Sequence, residues 1–83
     1  VCGGAGSFLI TKALAAGADI FITADIKYHE FFDANNRMLI ADIGHYESEQ
    51  FTINLLQELL ANKFPTFAVL KTELKTNPVS YFI

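Results

Sequence analysis

Two short apolar runs limit the folds open to this chain. Asp19-Ile-Phe-Ile-Thr23 and Arg37-Met-Leu-Ile-Ala41 are continuous rather than alternating, rich in β-branched or large apolar side chains, and flanked by polar turn-forming residues. A strand with one wet face alternates apolar and polar side chains, whereas an unbroken apolar strand is one covered on both faces. Helical segments separate and follow these runs. Phe8–Ala16 is rich in Ala and Leu, and Gly17 stands where a helix C-terminal cap belongs. A short helix is expected over Tyr28–Ala34, closed by an Asn35-Asn36 turn. The longest helix is expected over Gln50–Asn62, where Phe51, Leu55 and Leu59 step by four beside Leu56 and Leu60. Lys63, Phe64 and Pro65 end it. Thr66–Leu70 reads as a third apolar strand, Lys71–Pro78 as polar connector, and Val79–Ile83 as a short terminal strand or docking tail. Strand and helix alternating in this order predict an α/β fold, a mainly parallel sheet with flanking helices.

The 83 residues suffice for one small α/β portion with no internal boundary. Val1-Cys2-Gly3-Gly4 reads as the end of a strand entering a turn, so residues 1–83 are expected to be the C-terminal part of a longer protein. Eight Phe and a hydrophobic content of 52% point to apolar surface meant for other chains or for the rest of the same one. The lone Cys2 forms no internal disulfide and fits a reducing, cytoplasmic compartment. A net charge of −3 with six Lys and Arg argues against a nucleic-acid partner. No apolar stretch is long enough to span a membrane.

In parallel α/β sheets, ligands bind outside the carboxyl ends of the strands. Those ends here are Cys2-Gly3, Thr23-Ala24-Asp25 and Asp42-Ile43-Gly44-His45. They bring the Gly3-Gly4-Ala5-Gly6-Ser7 loop, Asp25 and His45 to one edge. His45 and Glu49 are four apart, so on a helix they share a face and are placed to grip one ion. Acidic residues in a first helical turn, Glu47 and Glu49, are equally what the helix dipole favours without any metal. Asp25 reads either as a cap for a helix beginning near Ile26 or as a chemical group, a general acid/base or a partner orienting a ligand histidine. The loop glycines Gly3, Gly4 and Gly6, with Ser7, can present N–H groups to an anion such as phosphate, but match neither common nucleotide-binding pattern. Cys2 reads as a small buried hydrophobe rather than a nucleophile, His29 as a packing or surface histidine, and Asp42 either faces the site or ends its strand. A stable metal site takes three or four protein ligands. Two donors fall short of that.

CGGAGSFL, TADIKYHEFFDA, LIADIGHYESEQF and the closing TNPVSYF occur in that order over essentially the whole chain. Together they resemble the C-terminal part of the NGG-interacting-factor-like family, whose bacterial members include YbgI-like proteins and GTP cyclohydrolase I type 2 homologues. The resemblance implies the C-terminal lobe of a two-lobed metal-binding α/β fold. It implies two divalent metal ions (Zn, Fe or Mn) in a cleft and a homo-oligomer, a ring-shaped hexamer. The family's ligands come from an N-terminal His-His motif, a mid-chain Asp and a C-terminal G-H-x-x-x-E. The last aligns with Gly44, His45 and Glu49, which implies His45 as a terminal ligand and Glu49 as a bridging or second carboxylate. Asp25 aligns with an acidic residue near the metals, and the loop with Gly3, Gly4, Gly6 and Ser7 is expected to line the substrate pocket. The His-His half has no counterpart here, so a partial site without activity of its own is expected. Ala24 stands where the family has Gly; a positive φ there would strain Ala. The activity implied is metal-assisted hydrolysis of a nucleotide-like or phosphorylated molecule. The alternatives are a non-catalytic metal-binding regulatory or protein-interaction module, and a nucleotide-binding module without metal.

Overall fold

A computed structural model describes all the residues, Val1–Ile83. β1, Ile20–Thr23, and β2, Leu39–Asp42, pair in parallel with Ile20 opposite Leu39 and Thr23 opposite Asp42. Along β1 the hydrogen-bonding groups alternate between two neighbours. The carbonyls of Asp19 and Thr23 accept the N–H groups of Leu39 and Ile43, each at 2.9 Å. On the other edge Cys2 N–H donates to Ile22 and Ala24 N–H to Gly4, also at 2.9 Å, and Ala5 bridges Ala24 in parallel. β1 is therefore central, with β2 and the Cys2–Ala5 segment at its sides. All three run the same way, so their carboxyl ends meet at one edge. The α/β class and the parallel sense expected from the apolar runs are what the chain adopts.

The expected first helix is a 3₁₀ turn, Ser7–Leu9, followed by α1, Ile10–Ala15, which closes at Gly17 with φ 76°. The short helix expected over Tyr28–Ala34 forms there, as a 3₁₀ helix. Asn35 and Asn36 follow it in the left-handed region, which Asn tolerates better than most residues. The core gathers Ile10 of α1, Phe21 of β1, Ala34 and Met38, with Cys2, Leu9, Leu14 and Ile40 against it. Ile10 is 1% exposed and Phe21 5%.

Covering of both sheet faces is not realised. Phe21 and Ile40 share the face that carries the core, whereas Leu39, on the opposite face with Ile20, is 70% exposed. The helical segments of this region supply Ile10 and Ala34 to the Phe21 side. A second layer would be needed to bury the other side.

The chain divides into two compact units, Val1–Gln50 and Phe51–Ile83. The first ends in a short helix, α2, His45–Glu49. The second is α3, Thr52–Lys63, followed by a turn and a segment that is neither helix nor strand. Within it Gln57 Nε2 donates to the Val69 carbonyl at 2.8 Å, Lys71 Nζ donates to Asn54 Oδ1 at 2.6 Å, and the Phe64 and Phe67 rings meet edge to face. α3 buries none of its residues. Thr66–Leu70 is not a strand, and neither is Val79–Ile83. An apolar run becomes a strand only where another strand satisfies its backbone groups, and only β1 and β2 form a sheet. No helix is long and apolar enough to cross a membrane.

Candidate metal centre

The site grows from the ends of β1 and β2. Asp42, the last residue of β2, accepts Ile26 N–H on Oδ2 at 3.0 Å and Gly44 N–H on Oδ1 at 3.1 Å. One carboxylate thus ties the loop after β1 to the loop after β2. Asp25, in the first of these loops, takes φ 57°, a conformation open to a short polar residue able to bond locally. Ala24 before it is fully buried and is not among the residues with positive φ, so the Ala for Gly exchange carries no strain. Gly44 does need its freedom: it precedes α2 at φ 86°, and a Cβ there would run into the Glu47 carboxylate. Glu47 lies in the first turn of α2, where the helix dipole favours it.

His45 opens α2 with a carboxylate at each ring nitrogen. Nδ1 lies 2.6 Å from Asp25 Oδ2, and Nε2 lies 3.2 Å from Glu49 Oε2, one helical turn on. Asp25 therefore does not cap the following helix. Glu30 does that work instead, its Oε2 accepting Lys27 N–H at 2.8 Å. The hydrogen bond to Asp25 is the main cause that raises the His45 pKa above the ordinary imidazole value; partial desolvation opposes it, and the charges of Asp25 and Glu49 add to it. About half of each of the three side chains stays open to solvent.

The glycine loop forms a wall against this pair. Gly4 sits at φ 66°, and a Cβ on it would strike the Glu49 carboxylate and come within 3.2 Å of His45 Nε2. The Gly4 peptide is held at both ends. Its carbonyl accepts Ala24 N–H at 2.9 Å and the hydroxyl of Thr23 at 3.1 Å, while its N–H donates to Ser48 Oγ at 2.8 Å. Ser48 in turn donates to the His45 carbonyl at 2.9 Å. Gly3 makes ordinary contact with Ser48 and Glu49, whereas Gly6 is buried against Thr23 and Cys2, away from the pair, and Ser7 begins the 3₁₀ turn. The structure thus joins His45, Glu49, Asp25 and Gly4, and leaves Gly6 and Ser7 out of contact with the imidazole. Ser48 and Thr23 were not singled out by sequence. The one available signal was a hydroxyl one turn after His45, on the side of the helix that also carries Glu49.

The donor set fits part of a metal site. Two ligand atoms each about 2.0–2.1 Å from a tetrahedral ion lie about 3.3 Å apart. The 3.2 Å between Nε2 and Oε2 is of that size, and the missing Gly4 side chain leaves the space beside them open. A carboxylate on the far ring nitrogen is the usual support of a ligating histidine. No group of three or more His, Cys, Asp or Glu side chains is arranged to hold an ion.

The fold is that of an α/β domain from a larger protein. The sequence matches the Duf34/NIF3 (NGG1p interacting factor 3) family over residues 1–78, and the chain belongs to that family. The GTP cyclohydrolase 1 type 2 homolog of Staphylococcus epidermidis is 38% identical over 89 residues, covering 98% of this chain and 23% of its own length. That of Campylobacter jejuni is 35% identical over 83 residues, covering 99% and 32%. The crystal structure of Staphylococcus aureus protein SA1388 superposes with a TM-score of 0.85 at 35% identity, over 96% of this chain and 27% of that one. A Bacillus cereus protein related to NIF3 gives 0.69 at 32% identity, over 96% and 23%. The chain spans about a quarter to a third of the length of these relatives.

Proposed function

We propose that this chain contributes two ligands, His45 and Glu49, to a dinuclear divalent-metal centre in a homo-oligomeric, hexameric hydrolase of the cyclohydrolase type. The single observation that supports this most is the two-sided histidine. Asp25 holds Nδ1 at 2.6 Å, which turns Nε2 toward Glu49 Oε2 at 3.2 Å beside the bare Cα of Gly4. The remaining ligands of the two ions (Zn, Fe or Mn) are supplied from outside these residues, since no third donor joins the pair. When bound, divalent ions of this kind supply Lewis-acid polarisation and acidify water for hydrolysis.

The chain's own residues have separable parts in this reading. Asp25 keeps the His45 proton on Nδ1 and leaves Nε2 free as a donor atom. Glu49 brings negative charge and a second oxygen able to bridge. In this reading Gly3 and Gly4 wall the pocket for a nucleotide-like or phosphorylated substrate, while Gly6 and Ser7 support the loop from behind. Gly4 itself is no phosphate cradle, because its N–H is already committed to Ser48. A regulatory or protein-interaction role is the second reading. It draws on the uncovered apolar face of α3 and on the family description as an interacting factor.

Elemental analysis of the full-length protein tests the proposal. About two metal equivalents per chain are expected, falling in His45→Ala and Glu49→Ala. Retention of both equivalents in the two variants would sink the assignment. A broad nucleotide and phosphoester screen with the Mn-, Fe- or Zn-loaded protein separates the readings: turnover lost in His45→Ala favours the hydrolase. No turnover on any substrate, with the biological role intact in His45→Ala, favours the interaction module.

A further inference from the structure

Ser48 makes a contact that its helix does not require. A serine inside a helix commonly donates its hydroxyl to the carbonyl one turn back, and the 2.9 Å bond to His45 O is of that kind. That local habit does not account for the second bond. The same oxygen accepts the N–H of Gly4, which is 44 residues away in sequence and buried, at 2.8 Å. A hydroxyl has one proton to donate and two lone pairs to accept with, so both bonds are made at once. Ser48 therefore joins the peptide of the loop to the peptide of His45, on the helix that carries both metal-facing donors.

The consequence lies in what Gly4 touches. A Cβ on it would meet the Glu49 carboxylate and His45 Nε2, so its bare Cα lies against both. Its carbonyl is already pinned to the sheet by Ala24 N–H and the Thr23 hydroxyl. The sheet holds Gly4, Gly4 holds Ser48, and Ser48 holds the first turn of α2. α2 is only five residues long, too short to fix its own position by internal hydrogen bonding. We propose that Ser48 is a positioning residue, which locks the His45–Glu49 pair in register with the Gly4 wall and so sets its affinity for the ion. The part concerning the ion rests on the metal-centre reading above; the positioning of His45 does not.

The test uses the full-length protein, its Ser48→Ala variant and Ser48→Thr, which keeps the hydroxyl. Loss of a hydrogen bond made directly to a ligating side chain weakens metal binding by about ten- to a hundredfold, and Ser48, which reaches His45 through its backbone carbonyl, is expected to act at the lower end of that range. Zn²⁺ and Mn²⁺ affinities measured by chelator competition are expected to fall by about tenfold in Ser48→Ala and to return within about threefold of wild type in Ser48→Thr. In metal-free protein, the His45 ring-nitrogen resonances are expected to move in Ser48→Ala only, and the Gly4 amide to exchange faster. A Ser48→Ala protein with unchanged ion affinity and unmoved His45 resonances overturns the inference. So does a Ser48→Thr protein as defective as Ser48→Ala in both readouts while its Gly4 amide stays protected. Should wild type and His45→Ala bind metal equally, the metal-centre reading fails by itself, and the His45 resonances and Gly4 exchange then decide whether Ser48 positions the histidine.

Discussion

Val1–Gln50 and Phe51–Ile83 are drawn from sequence of similar apolar richness, yet only the first closes around a core. Ile10, Phe21, Ala24, Ala34 and Met38 are buried, and all lie in the first unit. α3 carries Leu55, Leu56, Leu59 and Leu60 at helical spacing, and every one of them remains about half exposed. Periodicity was enough to make the helix. It was not enough to bury it, because burial needs a second surface of matching shape. The comparison is broken most directly by truncating one side chain in each unit. Phe21→Ala, at a site with 5% exposure, is expected to cost about 3–5 kcal/mol in urea unfolding of this chain. Leu59→Ala, at 55% exposure, is expected to cost less than about 1 kcal/mol. Equal losses would mean that α3 is packed as tightly as β1.

Gly4→Ala probes the first unit where core and site meet. It combines a left-handed backbone with a Cβ aimed at Glu49, so a loss of about 1–3 kcal/mol is expected from the backbone alone. A variant as stable as wild type would show that the loop can move away, and that the wall is not fixed. The second unit answers a different measurement. With bare leucines along α3, the 83-residue chain is expected to associate and to bind an apolar dye. Leu55→Glu with Leu59→Glu should weaken both. Sedimentation as a stable monomer with no dye binding would break the inference that these faces are made to be covered.

What the sequence disclosed follows the same division. β1 was legible because four adjacent apolar or β-branched residues need no distant information to be read as a strand, and Ile20–Thr23 falls inside the expected run. β2 sits two residues later than expected at its start, since Arg37 and Met38 belong to the turn and the core while Asp42 still pairs. Thr66–Leu70 has the composition of a strand but no ladder partner, and pairing is a non-local property that composition does not encode. At the site, His45 and Glu49 were visible as an i, i+4 pair. Asp25 was divided between cap and chemistry until Asp42, by bonding both Ile26 and Gly44, drew the two loops together. Ser48 was out of reach because the feature that distinguishes it is a partner 44 residues away.

The smallest expected effect concerns Asp25, and its substitution is unusually clean. Asp25 occupies φ 57°, and Asn is the residue besides Gly that accepts this conformation most readily. Asp25→Asn therefore removes the charge without disturbing the turn, and the amide oxygen can still accept a hydrogen bond from Nδ1. In metal-free protein the folded-state pKa of His45 is raised, chiefly by the Asp25 hydrogen bond and then by the charges of Asp25 and Glu49. A raised folded value means that protonated His45 favours the folded state. That contribution is fully present below the unfolded value of about 6.5 and is lost as pH rises through the higher folded value. Asp25→Asn should lower the His45 midpoint in an NMR titration and flatten the pH dependence of stability across that window, leaving only the part due to Glu49. The effect is small because both side chains are half exposed, and salt should reduce it further. An unmoved midpoint would show that the carboxylate at 2.6 Å does not govern the imidazole, and the support assigned to Asp25 in the proposed metal centre would go with it.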